Sequence, residues 1–307
     1  MSAHDSFIRE FIATKSNWGR WGANDDLGTL NLIDEDACRR GARAVTRGQR
    51  LSCARTLSPR YSDDNPNPVL HHMTHSGEGC PSEGMSSAAD WFGVAFHGYA
   101  VTHIDAPSHL FWDGVMYNGR PASSVRTATG AQMGSVEAAS AGIVTRAVLF
   151  DLPRVLGVEY LEPGVAVDPD VLDRAEREAG VQVESGDALL VRTGRDARRA
   201  AKGSMDLATA GFGGLSGPCV EWIGRRGVAV LGSDAVSDAV PEGGGDVVLP
   251  VHAAGIVGLG LWLIDNLQLE ELAAEVAGDG DPTCQLAVAP LRIKNGTGSP
   301  VNPIAVR

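Results

Sequence analysis

The sequence predicts a mixed α/β fold, and three observations carry that prediction. Short apolar runs of strand length recur at Ala147–Leu152, Ala188–Thr193 and Val228–Gly232, rich in residues that suit a buried strand. Between them lie amphipathic segments, Asp168–Ala179 closed by Gly180 and Ser216–Arg226 closed by Gly227; a terminal glycine suits the left-handed cap of a helix. The alternation still lacks the regular βαβ rhythm of a dinucleotide fold, and GxGxxG, P-loop, GxSxG and HExxH patterns are all missing. At 307 residues the chain is long enough to bury a sizeable core as one domain spanning 1–307.

The remaining elements follow in order. Asp5–Thr14 reads as a short helix and Trp18–Asn31 as a Gly- and Trp-rich loop. Ile33–Thr46 is helical, with Asp34 or Asp36 able to cap it and Gly48 beyond its end. Residues 1–50 thus form an extension of helix and loop. A strand at Arg50–Leu57 leads into Ser58–Met85, where Pro, Asn, Asp, Ser and His dominate. That composition predicts a long loop, and its His71, His72 and His75 make it a candidate lid. Gly93–Phe96 reads as a buried strand running on to Asp105. Asp113-Gly114 and Asn118-Gly119 mark tight turns. Pro250–Gly260 is apolar around His252, and a second apolar run ends at Asp265. Leu269–Ala277 is helical, Leu286–Lys294 is the expected final strand, and no internal repeat occurs.

Composition excludes several function classes. The net charge is −12 with no basic block, so nucleic acid and anionic membranes are poor partners; a small-molecule substrate is expected instead. No apolar run reaches the roughly 18 residues of a membrane span. Met1–Lys15 does not read as a signal peptide, and five scattered cysteines without a CxxC point to free thiols in a reducing cytoplasm.

The chemistry concentrates in Thr102-His103-Ile104-Asp105-Ala106-Pro107-Ser108-His109. On an extended strand His103 and Asp105 project to one face, and the same parity carried backwards adds Tyr99 and His97. Pro107 ends the pairing, leaving His109 on a loop. Two imidazoles and a carboxylate at a strand end suit Zn²⁺, Mn²⁺ or Fe²⁺. His252 and Asp265 follow apolar runs, Val248–Val251 and Leu261–Ile264, and Asp234 follows Val228–Ser233; an ionised carboxylate in such company needs a partner. Asp265 could equally cap the helix that follows it. Trp18, Trp21, Phe92, Trp112 and His72 are candidate walls for a substrate pocket.

These residues bring the chain close to a known family. It resembles the cyclase-like metal-dependent hydrolases, which include bacterial kynurenine formamidase and isatin hydrolase. The resemblance covers most of the chain and rests on WGRWGANDDLGTLNLI at 18–33, THIDAPSHLFWDGVMYNG at 102–119, LPVHAAGIVGLGLWLIDNLQLEEL at 249–272 and APLRIKNGTGSPVNPIAV at 289–306. The long N-terminal segment points to the longer branch of the family. The resemblance implies a layered β/β/α swivelling-type fold with a central β structure, a homodimer or homotetramer, and one or two divalent ions, Zn²⁺ or Mn²⁺. The family pattern HxGTHxDxPxH places ligands at His103 and Asp105 and its last histidine at His109. Further ligands fall at His252 and at Asp265, where the family usually has Glu. Its first histidine falls on Tyr99 and its glycine on Val101, with His97 two residues earlier. A straight strand leaves His97 roughly 20 Å from His103 and Tyr99 roughly 13 Å, so Tyr99 is expected to face the site and His97 to reach it only across a bulge.

The expected function is metal-dependent hydrolysis of an amide, lactam or lactone of a small cyclic or aromatic molecule, with His109 as general base and acid beside Asp105. Two alternatives use the same scaffold: a natural-product cyclase or dehydratase working through His109 and Asp105 without hydrolysis, and a non-catalytic small-molecule-binding protein.

Overall fold

A computed structural model describes residues 3–241 and 249–307; Val248, in the lead to His252, lies outside them. Its centre is a mixed nine-stranded sheet, as the mixed α/β prediction requires. The strand order is Arg50–Ser52, Ile304–Val306, Thr283–Val288, Ile143–Asp151, Ala188–Arg192, Val230–Ser233, Trp262–Asp265, His103–Asp105 and Gly298–Pro300. The four strands from Ile143–Asp151 to Trp262–Asp265 pair in parallel, while the strands on both flanks pair antiparallel.

Alternation along these strands builds two cores. Ala188, Leu190, Ile104, Trp262 and Ile264 face one cluster, together with Leu272 and Val276 of the Glu270–Asp279 helix. Leu189, Val191, Leu231 and Leu263 face the other. There they meet Leu172 of the Pro169–Ala179 helix, Trp222 and Ile223 of the Cys219–Arg226 helix, and Val251. Each large apolar side chain taken from water contributes about 1.5–3 kcal/mol, so both faces anchor the sheet. Local chemistry sets the helix ends as expected: the Asp34 side chain accepts from the Ala37 N–H, and Gly180 and Gly227 are left-handed caps. Asp113-Gly114 and Asn118-Gly119 have positive φ at all four residues.

Four strand expectations need correction. The Arg50 strand ends at Ser52. The 58–85 segment is not wholly loop: Leu70–His75 pairs antiparallel with Ala89–Gly93 in a separate ribbon. That ribbon exposes Leu70, Met73, Trp91 and Phe92. No continuous strand joins Gly93 to Asp105, because the chain leaves extended pairing after Gly93 and resumes only at His103. The last predicted strand lies earlier, at Thr283–Val288, and two more follow it.

Candidate metal centre

The site forms where an antiparallel strand crosses the end of the parallel set. His103–Asp105 pairs with Trp262–Asp265 so that Asp265 lies opposite His103 and Leu263 opposite Asp105. Directly opposed side chains share a face, roughly 4.5–5.5 Å apart. His103, Asp105 and Asp265 therefore stand together, all buried, on the face that carries Leu263. The segment beginning at Pro250 then lays His252 over them. It starts as one helical turn, Pro250–His252, and widens to a π-helix over Ala253–Leu259.

The donor atoms converge on Asp105. His97 Nδ1 is 2.9 Å from Asp105 Oδ1, His103 Nε2 3.5 Å and His109 Nε2 3.9 Å. His252 Nε2 is 3.8 Å from Asp105 Oδ2 and 3.1 Å from Asp265 Oδ2. The His97 and His109 rings stack with centroids 4.0 Å apart, and His97 meets His103 edge-on at 5.2 Å. Two sets thus share one carboxylate: His97, Asp105 and His109, and His103, Asp105 and Asp265.

The outer contacts aim the lone pairs inward. His103 Nδ1 donates to the Val101 carbonyl (2.8 Å), which leaves Nε2 free towards Asp105. His252 Nδ1 is 2.6 Å from Asp238 Oδ2, and the same carboxylate accepts the Val251 and His252 N–H groups at the helix start. His97 Nε2 bonds to the Thr297 hydroxyl at 3.0 Å. Ser237 Oγ donates to Asp265 Oδ1 at 3.4 Å.

A divalent ion fits this donor set. Both Asp105 oxygens and His97 Nδ1 are buried without a hydrogen-bond partner. The 2.9 Å approach of His97 to Asp105 is close enough for a hydrogen bond but not aligned for one, so the two atoms point past each other. Donors around one ion at roughly 2.1 Å stand about 3–3.5 Å apart, near the spacings seen here. Buried carboxylate oxygens left unpaired are expensive, and a shared cation relieves them.

Electrostatics separates the roles. Burial works against the charge on Asp105, but the fields of His109 and His103 and the contact with His97 hold its pKa below the carboxylate range. Burial pushes His109 down to about 4, against the attraction of Asp105. Burial disfavours charge on His252 as well, yet Asp265 and Asp238 raise its pKa well above the ordinary histidine value.

Other expectations about the site are corrected. Tyr99 does not join the imidazoles; its ring packs on Phe212 at 5.1 Å within a satellite apolar cluster. His97 reaches Asp105 instead, because the chain turns at Gly98, where φ is +133°. Asp234 serves structure: it accepts the Thr193 hydroxyl and the N–H groups of Thr193, Gly194 and Arg195. Asp265 caps no helix and ends a strand.

The aromatic candidates lie against other partners. Trp18 Nε1 donates to the Val257 carbonyl, Trp21 stacks under the Arg20 guanidinium, and Arg9 lies over Trp112. His72 stacks on Trp91 in the exposed ribbon. Phe92 lines a cavity of about 580 Å³ with Leu57, Leu291 and Val301. A second cavity, about 450 Å³, lies across Arg55–Leu57, and none of the four imidazoles lines either one. The candidate centre is therefore placed at the convergent donors and not at these cavities. Asp238 and Thr297 escaped sequence reasoning. Asp238 follows Ser237, with only Ala235 and Val236 apolar between it and Asp234, and Thr297 lies in the glycine-rich run Gly296-Thr297-Gly298.

Comparison with known proteins agrees with this architecture. A family model described as Putative cyclase matches residues 55–239, and the chain belongs to that family. A solved cyclase structure shares 29% identity over 95% of this chain and 99% of its own, with a TM-score of 0.84. An isatin hydrolase bound to the product analogue thioisatinate shares the fold at 20% identity, TM-score 0.59, over 86% of this chain and 93% of its own. Isatin hydrolase A from Labrenzia aggregata does so at 22% identity, TM-score 0.59, over 86% and 94%. No functionally curated protein matches the chain. Among the described residues no helix is long and apolar enough to cross a membrane.

Proposed function

We propose that the chain is a metal-dependent hydrolase that opens an amide, lactam or lactone of a small cyclic or aromatic molecule. The observation that carries this reading is the convergence of four imidazoles on Asp105, both of whose buried oxygens lack a hydrogen-bond donor. His97, His103 and Asp105 would hold a zinc or manganese ion, with Asp265 and His252 completing its surroundings. When bound, such an ion lowers the pKa of water towards ~7 and polarises a carbonyl.

The chain's own groups do the rest. His109 stays neutral near pH 7, so its Nε2 can accept a proton. A quarter of its side chain is exposed, whereas His103 and Asp105 are almost fully buried, so His109 stands on the side open to an incoming molecule. Asp105 remains ionised and acts only as an acceptor. Asp238 holds the His252 ring with Nε2 turned inward. The kinship to isatin hydrolases at the level of fold supports a cyclic amide as substrate. We also propose a homodimer or homotetramer, supported by the apolar side chains that the Leu70–His75 ribbon leaves in solvent.

The test is a metal assay paired with a substrate panel. Protein loaded with Zn²⁺ or Mn²⁺ and dialysed should retain about one ion per chain and hydrolyse members of a panel of aryl lactams, lactones and N-formyl anilines. Less than about a tenth of an equivalent of metal would sink the metal reading. Retained metal with cyclisation or dehydration of a hydroxy acid, and no hydrolysis, would establish the cyclase alternative.

A further inference from the structure

The 97–103 segment is held in an unusual way. A strand through it would pair its carbonyls with a neighbour; here they are gripped by two side chains from distant parts of the chain. Asn266 Nδ2 donates to the carbonyls of Gly98 (2.7 Å) and Val101 (3.0 Å). Arg195 Nη2 donates to the carbonyl of Tyr99 at 2.5 Å, and Arg195 Nη1 to Asn266 Oδ1 at 2.7 Å. Thr102 Oγ1 closes the ring by donating to the Asn266 carbonyl at 2.6 Å.

Both gripping side chains are buried. Among the described residues no carboxylate forms an ion pair with Arg195. Asp196, Asp234 and Asp64 act on it only through their fields, so its side-chain hydrogen bonds go to carbonyl oxygens, and a buried guanidinium needs those acceptors. Asn266 has φ +57°, a conformation that asparagine tolerates and that aims its amide across the strand end. The Val101 carbonyl links this grip to the centre, since it also accepts His103 Nδ1–H. Releasing Gly98 and Tyr99 would free the turn that swings His97 towards Asp105.

We propose that Arg195 and Asn266 are positioning residues: together they clamp the carbonyls of Gly98, Tyr99 and Val101, and so decide that His97 rather than Tyr99 faces Asp105. Its affinity readout rests on the metal-site reading, so a second readout without metal is included. Metal-free protein is titrated with Co²⁺ and followed by visible absorption. The proteins compared are wild type, Asn266→Gly, Arg195→Lys, His97→Ala and the Asn266→Gly/His97→Ala double variant. Glycine removes the amide while accepting the positive φ.

Loss of an outer contact typically weakens metal binding about 10–100-fold. Asn266→Gly should lose at least about 10-fold and change the cobalt spectrum, and the double variant should fall well short of the product of the two single losses, the remainder passing through Val101 to His103. Losses that multiply in the double variant, or an Asn266→Gly protein with wild-type affinity and spectrum, would overturn the clamp. If Asn266→Gly does not fold, Arg195→Lys with His97→Ala carries the same comparison. If wild type binds no Co²⁺, the metal reading fails and the clamp is judged by ¹⁵N-histidine spectra of the metal-free protein. There the His97 and His103 ring signals should move in Asn266→Gly and Arg195→Lys; unchanged signals would overturn it.

Discussion

Replacing Gly298 by alanine tests the seat of His97 most directly. Gly298 lies opposite Asp105 in the edge strand. A β-carbon built there would stand 2.9 Å from His97 Cε1 and 3.3 Å from His97 Nε2, and closer still to the Ile104 carbonyl oxygen. Its φ is not in the left-handed region, so backbone strain plays no part and the effect is steric. Ordinary carbon contacts need roughly 3.5–4 Å, so ring and added carbon must separate by about 0.6–1 Å. Either the edge strand moves off Ile104 or the His97 ring leaves Thr297 and Asp105. Overpacking of this kind costs about 1–3 kcal/mol, which should lower the melting temperature of metal-free protein by roughly 2–6 °C. A ligand displaced that far should bind metal about 10–100-fold more weakly. Calorimetric metal titration and thermal unfolding read the two effects. Gly77→Ala is the control, since its β-carbon would meet nothing within 4 Å and its φ is not positive. A Gly298→Ala protein that is destabilised yet binds metal as wild type does would show that the edge strand yields at Ile104 and the His97 ring keeps its seat, against the ring displacement expected here. One unchanged in both respects would refute the packing described here.

Three further outcomes are expected. His97→Ala should weaken metal binding at least about 10-fold while Tyr99→Phe leaves binding and turnover within about two-fold; the reverse pattern would restore Tyr99 to the site. His109→Ala should lower kcat about 10²–10⁴-fold with metal content intact, and near-normal turnover by the variant would remove His109 from the mechanism. The stability of metal-free protein should peak near pH 6–7. His109 titrates at about 4 when folded against ~6.5 unfolded, so below 6.5 the unfolded chain binds the extra proton and up to about 3 kcal/mol is lost by pH 4. His252 has the opposite sign: its folded pKa is raised, so its contribution is full below 6.5 and is lost as pH rises towards that folded value. Chemical denaturation across pH 4–9 checks this, and a monotonic profile, or a dome unaltered by His109→Ala, would contradict it.

Much of the fold was legible in local chemistry. The apolar runs predicted at Ala147–Leu152, Ala188–Thr193 and Val228–Gly232 became the strands Ile143–Asp151, Ala188–Arg192 and Val230–Ser233, and the caps at Asp34, Gly180 and Gly227 fell where expected, because period-two burial, Asp caps and left-handed glycines act within a few residues. The helix after Asp34 nevertheless ends at Arg43, short of Gly48. His103 and Asp105 share a face for the same reason: alternation along one short strand. The Leu70–His75 ribbon was hidden because its strands face solvent and carry polar residues, so burial leaves no pattern to read.

What the sequence by itself determined was therefore a mixed α/β chain with His103, Asp105 and His109 at a strand end, next to a turn fixed by Pro107. Only the tertiary structure decided which groups join them. The place of His97 depends on Gly98 turning the chain, on the gap at Gly298, and on carbonyl contacts from residues 195 and 266. The places of Asp265 and Asp238 depend on a register between strands some 160 residues apart and on a helix start at Pro250. Local rules reach two to four positions along the chain; a centre built from segments near 97, 103, 238, 252, 265 and 297 is set by how the sheet and its helices pack.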